Sequence, residues 1–190
     1  MQLLSSFNGT VQEYWPYDPR IESQRPAACP VCGHARPAGK GTYRRSLWVP
    51  ALVWIAVRRF VCRRAGCGCT VSLLPSFCVP YKRYGSAVVE SCLEAVLGPG
   101  QSVRQWSAEP GLTDRSTAGS WVRQFGTASG LLLTVGAQRL GLRLSGLKGS
   151  AAQRAWGALR RHSGSSAVLA RVQPALCAGV PALGVFRLRL

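Results

Sequence analysis

CRRAGCGC, residues 62–69, sets three cysteines in eight positions, and CPVCG, residues 29–33, sets two more in five. In Cys29-Pro-Val-Cys32-Gly33 and in Cys62-Arg-Arg-Ala-Gly-Cys67-Gly68 a cysteine pair closes a turn and a glycine follows the second cysteine. A metal knuckle needs that glycine, because the chain curls so that backbone N–H groups point at sulfur and the next residue takes a positive φ. A zinc ion takes four soft ligands at tetrahedral corners, which two knuckles facing each other across a β-hairpin supply. Cys29, Cys32, Cys62 and Cys67 are therefore the expected metal ligands. The rival assignment replaces Cys67 by Cys69, giving a C-x6-C pair. With four thiolates the coordination shell is full, so the zinc expected here is structural, with no open position for water or substrate. His34 lies beside the first knuckle but a fifth ligand is not needed. Cys78, Cys92 and Cys177 stand alone and read as buried or surface thiols.

Outward from the cysteines, Cys29–Ser72 reads as strands and turns. KGTYRRSLWVPALVWIAVRRFVC (40–62) alternates basic residues with β-branched and aromatic ones, and Pro50 divides it into two strands joined near that point. CTVSLLP (69–75) reads as a closing strand. SAVVESCLEAVL (86–97) is a helix, with Val89, Leu93 and Val96 on one face, Val88 and Cys92 beside them, Glu90 and Glu94 on another, and Gly98-Pro99-Gly100 at its end. A short helix from Ser102 to Glu109 has Val103 and Trp106 inward and stops at Pro110-Gly111. A second starts at Thr113 or Asp114, either a suitable cap. Its stripe of Ala118, Trp121, Val122 and Phe125 buries one face. The expected class is α+β: a zinc-ribbon β-hairpin domain (29–80), a helix-turn-helix region (81–125), and a poorly defined, partly disordered C-terminal segment. Residues 1–28 read as an irregular lead-in broken by Pro16, Pro19 and Pro26. Residues 126–190 read as a weakly helical or disordered tail, because 34 of those 65 residues are Ala, Gly or Leu and ten are glycine.

Charge selects the partner. The 190 residues hold 24 Lys+Arg against 7 Asp+Glu, a formal net charge of +17. Such an excess repels itself unless a polyanion neutralises it, and nucleic acid is the first candidate. Arg58, Arg59, Arg63 and Arg64 bracket Cys62, with Arg44 and Arg45 on the opposing strand, and Tyr81-Lys82-Arg83-Tyr84 interleaves aromatics with charge. On the second helix of the pair, Arg115, Ser116, Thr117, Ser120 and Arg123 lie off the apolar stripe, where a recognition helix presents residues to base edges. Gly119, in mid-helix, is compatible with close backbone approach. A spanning helix is not expected: the longest run without a charged residue, Ala65–Tyr81, has 17 residues including two prolines and three cysteines. No signal peptide is visible, so a cytoplasmic, reducing location is expected, where eight cysteines point to metal or buried thiols.

Taken together, CPVCG (29–33), YRR (43–45), VRRFVCRRAGCGCTVSLLPSF (57–77), VPYKRY (79–84), SVRQW (102–106) and STAGSWVRQF (116–125) resemble the zinc-ribbon and helix-turn-helix region at the front of insertion-sequence transposases. The resemblance is greatest to short bacterial transposase-like proteins that carry only that region, a domain of unknown function. It implies metal positions at Cys29, Cys32, Cys62 and Cys67, DNA reading by Thr113–Phe125, and a nucleoid-associated protein. Cys69 departs from the family pattern, which favours a polar or basic residue there, and the chain after Phe125 is not matched. No acid occurs beyond Asp114 and no tyrosine beyond Tyr84. The carboxylates or nucleophile of a downstream transposase catalytic domain are thus not expected, and the chain reads as no enzyme. The expected activity is zinc-stabilised DNA binding, transposase-derived or transposase-accessory. Binding to structured RNA, and a targeting role beside a separate transposase subunit that carries the nuclease, are the alternatives. Either a homo-oligomer or that separate subunit would be its protein partner.

Overall fold

In the computed structural model the described residues are 1–5, 7, 9–98, 100–108, 114–126, 134, 137–138, 140–164 and 168–169. The expectations placed on Pro99, Glu109, Pro110-Gly111, Thr113, Cys177 and the Phe125 side chain lie outside what is described. The architecture is mixed α+β, a four-stranded sheet followed by helices.

The basic-aromatic segment folds as a long antiparallel hairpin, β2 (Ala38–Val49) and β3 (Ala51–Val61), turning over at Pro50. Its register runs from Val49↔Ala51 at the tip to Ala38↔Val61 at the open end, immediately beside the two cysteine turns. The closing strand β4 (Thr70–Pro75) pairs antiparallel with β3, from Val61↔Thr70 to Arg58↔Leu73. The lead-in is not wholly irregular. Gln2–Ser5 forms β1, parallel to β4 in the register Gln2↔Ser72 to Ser5↔Pro75, and Pro19–Glu22 forms a one-turn helix, α1, capped by Asp18. The pairing partner of β1 lies some seventy positions away, so no local pattern announces it. The sheet order is β1-β4-β3-β2.

Alternation along the hairpin sorts its side chains. Leu47, Ile55 and Val57 are buried together with Leu74 and Cys78. Phe60 and Leu73 join Phe7 and Ile21 in a second cluster. Tyr14 meets Phe7 and Phe77 edge-on, with ring centroids 5.4 and 5.6 Å away, and so docks against the sheet, while Trp15 stays 61% exposed.

The helices form the other core. α2 (Ser86–Leu97) buries Val88, Val89, Cys92 and Leu93. α3 (Val103–Ser107) begins with a capping box in which Ser102 and Gln105 satisfy each other's backbone N–H groups, and it buries Trp106. α4 (Arg115–Gly126) buries Ala118 and Trp121. Trp121 lies between two rings, 4.8 Å from Tyr84 and 6.1 Å from Trp106, both edge-on. The tail contributes a helix longer than its glycine content suggests: α5 (Ala151–Ser163), opened by a Ser150–Gln153 capping box and burying Ala152, Ala155, Trp156 and Leu159. Glu94 draws it onto α2, accepting from Trp156 Nε1 at 2.9 Å and pairing with Arg160. Glu90 accepts from the backbone N–H groups of Val168 and Leu169, at 3.1 and 2.8 Å. The outward carboxylates of α2 therefore hold α5, through Glu94, and the backbone at Val168–Leu169, through Glu90. Among the described residues no helix is long and apolar enough to cross a membrane.

Trp121→Ala removes the ring shared by α3, α4 and the Tyr84 segment. It should lower the free energy of unfolding by about 3–5 kcal/mol, read by chemical denaturation. Trp15→Ala, at an exposed ring, should change it by no more than about 0.5 kcal/mol.

Candidate metal centre

Both cysteine turns sit at the open end of the β2–β3 hairpin, and the Ala38↔Val61 pairing brings them face to face. The first turn is closed by Gly33 N–H donating to Cys29 C=O (2.9 Å) and Cys29 N–H to His34 C=O (2.8 Å). The second is closed by Cys67 N–H donating to Arg64 C=O (3.1 Å) and Cys62 N–H to Cys69 C=O (2.9 Å). Gly33 has φ +71° and Gly68 φ +57°, so the glycine after each second cysteine takes the left-handed conformation that other residues adopt only with strain.

The sulfurs of Cys29, Cys32, Cys62 and Cys67 all lie within 4.8 Å of one another. Cys29 Sγ is 3.8 Å from Cys67 Sγ, and Cys32 Sγ is 3.6 Å from Cys62 Sγ. These separations exclude disulfides, whose sulfurs touch at about 2 Å. They match the edge of a tetrahedron around zinc, which a bond of about 2.3 Å makes about 3.8 Å long. The four cysteines are clustered as if to bind a metal ion, and the set that comes together contains Cys67.

Backbone amides explain the role of Cys69. The N–H groups of Cys32 and Val31 point at Cys29 Sγ and hold its thiol down to about 6, and the N–H of His34 likewise lowers Cys32. On the other knuckle the N–H of Arg64 points at Cys62 Sγ and that of Cys69 at Cys67 Sγ. There, desolvation and the neighbouring sulfurs outweigh the amides, pushing Cys62 up to about 12 and raising Cys67. In each knuckle the residue two beyond a ligand donates to it, so Cys69 serves Cys67 through its backbone. Its own thiol lies next to the Thr70 carbonyl at 3.9 Å and is raised by burial. His34 is exposed and contributes its backbone to the turn. Cys78 and Cys92 are fully buried, and desolvation pushes both thiols up to about 12.

The basic residues divide by what already holds them. Arg58 is engaged inside the protein: its Nε donates to Glu22 at 3.1 Å, and its guanidinium lies over Tyr17 (4.8 Å) and Phe60 (5.5 Å). Its expected place on a nucleic-acid face is therefore taken by a structural contact. Arg59 lies 5.6 Å over Tyr43. Arg63 and Arg64 are exposed on the second knuckle, and Arg64 Nη1 donates to Cys32 C=O at 3.2 Å, tying the two knuckles. Lys82 is half-buried and Arg83 exposed. On α4, Arg115, Ser116 and Arg123 are exposed and Thr117 and Ser120 half-buried. The hydroxyls of Ser116 and Thr117 both donate to Asp114, which also accepts the Thr117 N–H at 2.9 Å. Asp114 is thus the cap of α4, and these bonds hold its carboxyl well below the usual range. A Cβ on Gly119 would meet only Arg123 Nη1, at 3.4 Å, so nothing within the described chain requires glycine there.

Residues 29–118 match the family described as a domain of unknown function, DUF6431. The chain carries a DUF6431 domain. This domain begins at Cys29 itself, contains both knuckles, β2–β4, α2 and α3, and ends in the first turn of α4. β1 and α5 lie outside it, although both complete cores that the DUF6431 domain starts. No curated protein and no solved structure matches the chain.

Cys67→Ser should abolish stoichiometric metal binding, whereas Cys69→Ser should keep about one divalent ion per chain, as elemental analysis of the purified proteins will show. Retained metal in Cys67→Ser together with lost metal in Cys69→Ser would move the ligand to Cys69.

Proposed function

We propose that this protein is a zinc-stabilised DNA-binding protein, derived from or accessory to a transposase and without a catalytic centre of its own. The observation that carries the reading is the state of its few acids. Among the described carboxylates, Asp18, Glu22 and Glu94 pair with Arg20, Arg58 and Arg160. Glu13 accepts from Thr10, Glu90 from backbone amides, and Asp114 from the start of α4. Each is tied to a local structural duty, and most of the 24 Lys+Arg keep no carboxylate partner among the described residues. A positive field of that size attracts phosphates and releases their counterions.

The four-sulfur cluster supports zinc as the ion: four thiolates at tetrahedral spacing suit zinc and leave no vacant position for chemistry. The zinc would pin the hairpin's open end and present Arg63 and Arg64. The packing of α3 against α4 supports a helix-turn-helix in which α4 meets the groove with Arg115 and Arg123 outward. The resemblance of CPVCG through STAGSWVRQF to the front region of insertion-sequence transposases favours DNA over RNA as the polyanion. It also fits a targeting subunit whose nuclease is another chain.

Duplex DNA should bind with a steep salt dependence, from roughly 6–10 phosphate contacts, and chelation should abolish binding together with the fold around the knuckles. An affinity that does not change between low and physiological salt would refute the reading, as would an affinity for folded RNA far above that for duplex DNA. Arg115→Ala and Arg123→Ala should each weaken a selected duplex site more than random duplex, by about 1–3 kcal/mol where a base contact is lost. Gly119→Ala should stabilise α4 by about 0.5–1 kcal/mol in thermal unfolding; weaker DNA binding by the same variant would locate the close approach at that position.

A further inference from the structure

β2 is an edge strand, and the segment following Val79 runs beside only part of it. Trp48 N–H donates to Arg83 C=O at 2.7 Å and Trp48 C=O accepts from Gly85 N–H at 3.0 Å, so the two backbones are paired there. Nearer Arg44 they part and leave an open notch of about 300 Å³ lined by Arg44, Ser46, Trp54, Tyr81, Lys82 and Arg83, among others.

Three features of this notch are independent of one another. Trp54 and Tyr81 are 58% and 52% exposed, two large rings held in water on its walls. Tyr81 also has φ +60°, a conformation costly for any residue but glycine. That strain is held in place deliberately: Tyr81 N–H donates to Gln2 Oε1 at 2.8 Å. Arg45 donates to the carbonyls of Val79 (3.0 Å) and Lys82 and to the same Gln2 oxygen (3.2 Å). A half-buried arginine thus fixes a strained turn whose outcome is an exposed ring, the situation in which backbone strain points to a binding role. The third feature is charge. Arg44, Lys82 and Arg83 line the notch, no carboxylate does, and the Arg44 guanidinium lies 5.1 Å over the Trp54 ring. Lys82 is half-buried, and an anion beside it would offset the desolvation of its ammonium.

Flat rings beside cations that have no carboxylate partner among the described residues, in a small concavity, suit a planar heterocycle that carries a phosphate. Stacking on aromatic side chains requires a base whose face is free, which duplex DNA does not offer inside its stack. We propose that this notch holds an unpaired nucleotide of a single-stranded nucleic-acid segment, its base against the Trp54 and Tyr81 rings and its phosphate on Lys82 and Arg83. The inference rests on the nucleic-acid reading above and adds to it a strand-selective site apart from α4.

Fluorescence anisotropy with a labelled oligothymidylate and a blunt duplex, both at low salt, tests it. Trp54→Ala and Tyr81→Gly should each weaken oligothymidylate binding about tenfold and leave duplex binding nearly unchanged. Tyr81→Gly relieves the backbone strain, so it keeps the fold even if Trp54→Ala does not. Trp15→Ala, an exposed ring outside the notch, should change neither. Unaltered oligothymidylate affinity in both notch variants would overturn the proposal, as would duplex binding by the wild-type protein without oligothymidylate binding; both leave the DNA reading standing. Displacement of the oligonucleotide by an equal concentration of thymidine monophosphate would assign the notch to free nucleotides instead. Failure of the wild-type protein to bind either nucleic acid would remove the DNA reading itself and this site with it.

Discussion

Four sulfurs within 4.8 Å cannot all be thiolates in water without a cation between them. Backbone amides lower two of the thiols, while the neighbouring sulfurs and desolvation raise the other two. A divalent ion bound there would reverse that balance, and its binding energy would become folding energy for whatever the sulfurs are attached to. Here they are attached to both ends of the longest hairpin in the fold. Because Ala38↔Val61 is the first rung beside the knuckles, closing the cluster would hold the β2–β3 register, on which β4 and then β1 are paired.

Electrostatics make a second layer. With so few acids available, the fold uses most of the described ones where they hold two elements together or cap one. Glu22 engages Arg58 beneath Tyr17, Glu94 docks α5 on α2, and Asp114 starts α4. Isolated surface pairs contribute little, on the order of 0–1 kcal/mol each. The Glu22 and Glu94 pairs do more as anchors of orientation, since each joins an aromatic ring or a helix end to a distant element. The cations they leave unpaired are the ones the surface presents.

The DUF6431 match ends inside α4, three residues before Trp121, the ring on which Tyr84 and Trp106 converge. α5 then covers the same cluster with Trp156 and Leu159. The helical core of this chain is thus assembled from residues on both sides of the matched boundary, and the strands likewise recruit Gln2–Ser5 from ahead of it.

Sequence alone determined the local elements and the chemistry of the turns. CPVCG and CRRAGCG carry their glycines where the backbone must turn left-handed, SAVVESCLEAVL spaces its apolar residues for one helical face, and Pro50 can sit only where a strand ends. Each of these signals lies within a few residues and depends on backbone sterics or periodicity. Tertiary structure decided what depends on distant partners. It paired Gln2–Ser5 with Ser72–Pro75, recruited Glu94 to hold Trp156, withdrew Arg58 from the surface, and converted Cys69 from rival ligand to amide donor. It also bent Tyr81 into a left-handed turn that no local pattern predicts, because the hydrogen bonds holding it come from Gln2 and Arg45, residues that only the folded sheet brings alongside.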